Sequence, residues 1–104
     1  MKKIIALAGA PNCGKTTLFN LITKSRGAVG NRPGVTVEKK YGALRRDDRF
    51  AVVDLPGAYS LFSERPEERA AGEFLRRKGA DCVIVVIDSV HPEQGLFLLL
   101  EILS

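Results

Sequence analysis

Eight residues near the start of the chain can act together on one ligand: Gly9-Ala10-Pro11-Asn12-Cys13-Gly14-Lys15-Thr16, a fit to G-x-x-x-x-G-K-[ST]. Glycines let a backbone wrap a phosphate without Cβ clashes. Successive N–H groups and a helix N-terminus then face the anion. Lys15 reaches the β- and γ-phosphates as a point charge, and the Thr16 hydroxyl is placed to ligate Mg²⁺. The context is the one this loop needs, with an apolar run before it and an amphipathic segment after it. The pattern therefore reads as a nucleoside triphosphate site, with Thr17 continuing its helix, and it does not choose the base. The plainer alternative is a glycine turn that happens to precede a Lys-Thr helix.

Two further segments belong to the same chemistry. Asp54-Leu55-Pro56-Gly57 closes the apolar run Ala51-Val52-Val53. An acid at the C-terminal end of a parallel strand lies on the same sheet edge as the phosphate loop. There Asp54 can hold Mg²⁺ through a water, and the Gly57 N–H can meet a γ-phosphate. Alone, D-x-x-G is a weak signal that a turn aspartate would also explain; after a phosphate loop it is a strong one. Thr36, within Arg32-Pro33-Gly34-Val35-Thr36-Val37, has two readings on spacing alone. It either adds its hydroxyl to Mg²⁺ when a γ-phosphate is present, ordering its loop on triphosphate, or it merely begins a strand that its β-branched side chain favours.

The elements that must position these residues follow from periodicity. Lys3 to Ala8 is apolar without alternation, as expected of a strand covered on both faces. Gly9 to Gly14 is a turn. Lys15 to Lys24 is a helix, with Leu18, Leu21 and Ile22 on one stripe and Phe19 widening it. Arg26 to Gly34, rich in Gly, Asn and Pro, reads as a loop. Thr36 to Leu44 and Arg49 to Asp54 read as strands around a turn at Arg46-Asp47-Asp48, and Leu55 to Pro66 as a second long loop. Glu67 to Lys78 is a helix with acids first and bases last. Ala80 to Asp88 is an apolar strand, and Pro92 to Leu103 a helix with proline in its first turn. The β-α-β-β-α-β-α order predicts an α/β fold: a mainly parallel sheet covered by helices on both faces, with one antiparallel edge strand. The Cys82 to Ile87 run is apolar enough to be a central strand with a neighbour on each side. On that reading residues 1–104 are the front of a larger domain of roughly 150 residues or more.

Composition bounds the remaining possibilities. The chain has 104 residues, 45% hydrophobic and 27% charged, an ordinary globular mix. Its net charge of +4 suits an anionic ligand or an acidic surface without proving either. The apolar runs are too short to span a bilayer, so this segment is expected to be soluble, and the N-terminal run leads into the glycine motif rather than a cleavage site. The two cysteines, Cys13 and Cys82, make neither a disulfide framework nor a zinc site. Cys82 reads as core. Cys13, beside Lys15 and a helix N-terminus, carries a minor redox reading. His91, before Pro92, reads as a solvated cap. Arg45, Arg46 and Arg49, and Arg76-Arg77-Lys78, read as solvated faces, with contact to anionic lipid or a regulatory segment as the alternative. No aromatic residues interleave with the basic ones, so no nucleic-acid partner is expected.

Taken together, Gly9 to Thr16, Thr36 and Asp54 to Gly57 resemble the first three motifs of Ras-like GTPases of the P-loop NTPase class. The closer resemblance is to the N-terminal G domain of the ferrous iron transport protein B (FeoB) family. It is carried by Pro11 to Asn20, Val29 to Glu38, Asp54 to Leu61 and Val85 to Asp88, and it runs along essentially the whole chain. The Pro-Gly-Val-Thr-Val-Glu block discriminates, because ribosome-assembly and tRNA-modifying GTPases usually carry a Gly-Thr-Thr-Arg-Asp-like segment there.

The resemblance implies a partial G domain over 1–104, with phosphate loop, switch I, switch II, fourth strand and third helix. It implies GTP and GDP as ligands, with nucleotide contacts from Gly9 to Thr17, Gly34 to Glu38 (Gly34, Val35, Thr36, Val37, Glu38) and Asp54 to Gly57 (Asp54, Leu55, Pro56, Gly57). Lys15, Thr36, Gly57 and Asn12 would carry catalysis. Thr16, Thr36 and Asp54 would serve Mg²⁺, and Asn12, which could also be a loop-shaping side chain, would serve K⁺. Ala58 stands where Ras-like proteins place a water-orienting glutamine, so hydrolysis should be slow, and no general base is named. The implied protein sits on the cytoplasmic side of the bacterial inner membrane, with a helical spacer and a membrane permease as its other parts. Ala10, Cys13 and Arg32 depart from the commoner Asn, Ser and Trp, and the loop after Leu61 is shorter than in many members. The Asn-x-x-Asp guanine-reading motif is not among these residues. A nucleotide-binding module without turnover, its sheet edge free to self-associate, and another P-loop GTPase, ATPase or kinase are the competing functions.

Overall fold

The computed structural model describes residues 3–23, 28–30, 39–77 and 79–104. The expectations placed on Gly34 to Glu38, and on Lys24 and Lys78 as helix ends, lie outside the described residues. The elements run β1 (Lys3–Gly9), α1 (Lys15–Ile22), β2 (Ala28–Gly30), β3 (Lys39–Leu44), β4 (Asp47–Asp54), α2 (Pro66–Arg76), β5 (Cys82–Val86) and α3 (Pro92–Leu103). They form one five-stranded sheet in the order β2-β3-β4-β1-β5.

β1 is the organising strand. It pairs in parallel with β4, Leu7 opposite Asp54, and in parallel with β5, Gly9 opposite Val86. Its side chains alternate between two helical layers, as a strand's period of two requires. Ile5 and Leu7 face α1, packing with Val52, Phe19, Leu18 and Ile22. Ile4, Ala6 and Ala8 face α2 and α3: Ala6 packs with Val53, Ala71 and Phe74, and Ala8 with Leu61 and Leu98. A strand buried on both faces cannot show an alternating sequence, which is why Lys3 to Ala8 reads as a plain apolar run.

The antiparallel flank differs from expectation. One strand runs against the rest as expected, β3 antiparallel to β4, but it is not the edge: β2 lies outside it, antiparallel to β3 and so parallel to β4. Ala28–Gly30 is therefore a strand inside a segment that reads as a loop. Three residues beside glycine carry no readable period, and cross-strand hydrogen bonding to Lys39–Tyr41 decides the matter. The hairpin turn falls one residue early, at Arg45-Arg46, so Asp47 begins β4. The Asp47 carboxylate accepts from both the backbone N–H and the guanidinium of Arg49, which fixes that corner. The same carboxylate raises the Arg49 pKa, first by hydrogen bonding and then by charge.

α1 stops at Ile22, where Thr23 turns extended and its hydroxyl donates to the Phe19 carbonyl at 2.8 Å. α2 is Pro66–Arg76 and α3 is Pro92–Leu103, with prolines at their first turns. β5 is shorter than its apolar run and lies at the sheet edge, paired among the described residues with β1. Cys82 and Ile84 are exposed among the described residues. The core reading of Cys82 is thus corrected. No helix among the described residues is long and apolar enough to cross a membrane.

Candidate phosphate and metal site

The turn between β1 and α1 has the backbone of an anion cradle. Asn12 (φ 64°) and Gly14 (φ 91°) are both left-handed and bracket Cys13. Asparagine and glycine are the residues that tolerate this region, and alternation of this kind aims successive N–H groups inward. Gly14 caps α1 with no side-chain cap bond, and the helix has no acid in its first turn. The first-turn N–H groups of α1 consequently open toward an anion. Asn12, Cys13, Gly14, Lys15, Thr16 and Thr17 line a cavity of about 300 Å³.

Asp54 reaches the same place from β4. Its Oδ1 accepts from Lys15 Nζ at 2.6 Å, a pair with side-chain exposures of 9% and 5%, and its Oδ2 accepts from Thr16 Oγ1 at 3.1 Å. Burying such a pair is tolerable because both carboxylate oxygens are satisfied. The parallel register puts it there: Leu7 opposite Asp54 brings the end of β4 beside the end of β1.

The loop after Asp54 is drawn against the cradle. A Cβ on Gly57 would lie 2.7 Å from Pro11 Cα and 2.8 Å from Pro11 N, so only glycine fits this approach. The Ala58 N–H donates to the Gly9 carbonyl at 2.9 Å. Gly9 is itself crowded, since a Cβ there would meet Cys13 Sγ and the Val86 carbonyl oxygen, both at 2.7 Å. The half-buried Cys13 side chain is accordingly turned toward β1 and β5.

The fold thus gathers Pro11 to Thr17, Asp54 and Gly57 at one sheet edge. Ala10 and Leu55 are buried, and the Leu55 side chain packs in the α2 layer while its N–H donates to the Leu7 carbonyl at 3.2 Å. Neither side chain is offered to a ligand. Gly34, Val35, Thr36, Val37 and Glu38 lie outside the described residues. His91 occupies the N-cap position of α3 without a side-chain cap bond.

Sequence reasoning missed the groups that hold the Asp54–Pro66 loop. The buried Glu68 accepts from the Tyr59 N–H at 3.0 Å and lies 3.7 Å from Arg65. Glu101 of α3 accepts from Ser60 and Leu61. Gly72 lets α2 approach closely, for a Cβ there would collide with the Leu61 carbonyl. The readable signal was Glu101 itself, a lone acid in Leu-Phe-Leu-Leu-Leu-Glu-Ile-Leu. Glu68 reads only as an acid complementing a helix dipole.

Comparison with known proteins adds independent findings. The family model described as ferrous iron transport protein B matches residues 3–104. The Fe(2+) transporter FeoB of Methanocaldococcus jannaschii is 42% identical over 101 residues, covering 96% of this chain and 15% of that protein. The crystal structure of the G domain of the T. maritima FeoB iron transporter is 50% identical, with a TM-score of 0.86, covering 99% of this chain and 65% of that one. An S. thermophilus NFeoB variant solved bound to GDP is 42% identical, with a TM-score of 0.88, covering 98% and 39%. The chain spans about 15% of the length of the curated relative it matches.

Proposed function

The chain belongs to the FeoB family, matching its N-terminal G domain, and on that premise we propose that it binds guanine nucleotide and slowly hydrolyses GTP as the regulatory part of a ferrous iron transporter. The observation that carries this reading is the convergence of Lys15 Nζ and Thr16 Oγ1 on the Asp54 carboxylate beside an open helix N-terminus. The N–H groups from Asn12 to Thr17 would cradle the β-phosphate, and Lys15 would exchange Asp54 for phosphate oxygens, neutralising charge that grows during phosphoryl transfer. The Gly57 N–H would donate to the γ-phosphate. Ala58 supplies no polar side chain, and its N–H is taken by Gly9, which accords with slow turnover.

The donor set fits magnesium. Thr16 Oγ1 and Asp54 Oδ2 are hard oxygens 3.1 Å apart, and Thr36 would add a third. When bound, magnesium would neutralise charge that develops on the β- and γ-phosphate groups. The exposed Asn12 amide is a suitable oxygen donor for potassium, which would supply the positive charge that an arginine finger supplies elsewhere. The other parts of such a protein would be a helical spacer and a membrane permease with Fe²⁺ as cargo. This chain would then lie on the cytoplasmic side of the inner membrane.

The test is displacement of a fluorescent GDP analogue from the intact protein. GTP should compete and ATP should not; equal competition by ATP would replace this reading with a general P-loop NTPase. Asn12→Ala should bring turnover in K⁺ to within about twofold of that in Na⁺, because the potassium ligand is lost while the strain of alanine at this left-handed position lowers both rates together. Wild-type rates that are already equal in the two salts would remove Asn12 from any cation role.

A further inference from the structure

The Asp54–Pro66 loop is tied down at three successive points. Ala58 N–H bonds to Gly9 in the phosphate loop at 2.9 Å, and Tyr59 N–H bonds to Glu68 in α2 at 3.0 Å. The third tie is to α3: Glu101 Oε1 accepts from the Leu61 N–H and Oε2 from the Ser60 hydroxyl, both at 3.0 Å. Ser60 Oγ in turn accepts from the Phe62 N–H at 3.1 Å. One carboxylate thereby orders three consecutive residues from an element 40 positions away. Leu61 is also fixed laterally, 7% exposed and packed with Ala8 and Leu98.

We propose that Glu101 is a positioning residue for triphosphate hydrolysis: by clamping Ser60–Phe62 to α3 it holds Gly57 against Pro11. The inference rests on the nucleotide reading above. The geometry favours a role beyond general stability. Hydrogen bonds to an ionised acceptor are about twice as strong as neutral ones, and both oxygens of Glu101 act on this loop. Only three residues, Ala58, Tyr59 and Ser60, lie between Gly57 and Leu61, a short span for one end to loosen without the other. Without the Glu101 clamp, the single Ala58 and Tyr59 bonds between them would have to hold this end of the loop alone.

Three versions of the intact protein decide it. Glu101→Ala should lower kcat for GTP about tenfold, since small misplacements of a reacting group are costly. It should leave GDP affinity within about twofold, because residues 12–17 make the diphosphate contacts. Amide exchange across Ser60–Phe62 should accelerate. Glu101→Gln keeps an acceptor for the Leu61 N–H and gains a donor toward Ser60 Oγ, so it should recover most of kcat and of the protection. The proposal is overturned by an unchanged kcat in Glu101→Ala, by parallel loss of GDP affinity and melting temperature, or by Glu101→Gln as impaired as Glu101→Ala. A wild-type protein that binds no guanine nucleotide sinks the nucleotide reading and the hydrolytic role with it. Leu61 exchange then still shows whether Glu101 holds the loop.

Discussion

Lys15→Ala loses nucleotide affinity by about two to three orders of magnitude, for GDP and GTP alike. Truncating one member of a buried, hydrogen-bonded charge pair costs about 2–5 kcal/mol in binding, and each 1.4 kcal/mol is about tenfold. Among the described residues that line the cradle, Lys15 is the only lysine. The substitution also strands Asp54, whose Oδ1 loses its 2.6 Å donor while Thr16 still serves Oδ2. A stability loss of about 3 kcal/mol follows from an uncompensated buried carboxylate. The two effects separate in a second variant. Lys15→Met with Asp54→Asn removes both charges and keeps the volume, so its melting temperature should return toward wild type while binding stays lost. Fluorescent-nucleotide titration beside a thermal melt reads both. Recovery of binding in the double variant would show that Lys15 acts only by satisfying Asp54.

Much of this site was legible because its chemistry is local. The run from Gly9 to Thr16 specifies a turn, two left-handed positions and a helix start within eight residues. The approach of Asp54 needed only a parallel strand ending in an acid. α3 matches its expected span, Pro92–Leu103, since a proline start and a continuous apolar run leave little freedom. What stayed hidden depends on partners distant in sequence. β2 exists because Lys39–Tyr41 pairs with it. Glu101 stands out in sequence only as a lone acid in an apolar helix, and its partners appear only when the fold brings Ser60 and Leu61 to it. The candidate phosphate cradle is thus written in neighbouring residues, and the contacts that restrain the loop beside it in long-range pairs.

Gly57→Ala separates those halves, and it should lower GTP turnover about a hundredfold while leaving GDP affinity within about threefold. The cause is steric rather than conformational, because Gly57 is not among the left-handed residues. An added Cβ would sit 2.7 Å from Pro11 Cα, and backbone on both sides cannot rotate away. The loop must therefore retreat, stretching the 2.9 Å bond from Ala58 N–H to Gly9 and withdrawing the Gly57 N–H from the place proposed for the γ-phosphate. Removing one preorganised donor from a developing charge costs about 10²–10³ in rate, and the overpacking itself costs about 1–3 kcal/mol of stability. Diphosphate binding survives because Lys15 and the first turn of α1 are untouched. Single-turnover kinetics with GTP, beside titrations with GDP and a non-hydrolysable GTP analogue, measure the split. Equal loss of both nucleotides would mean that the phosphate loop itself had moved, and an unchanged rate would place Gly57 away from the γ-phosphate. Combining Gly57→Ala with Glu101→Ala sharpens the result. Both act through one loop, so their effects should fall short of additive, and full additivity would assign them to separate steps.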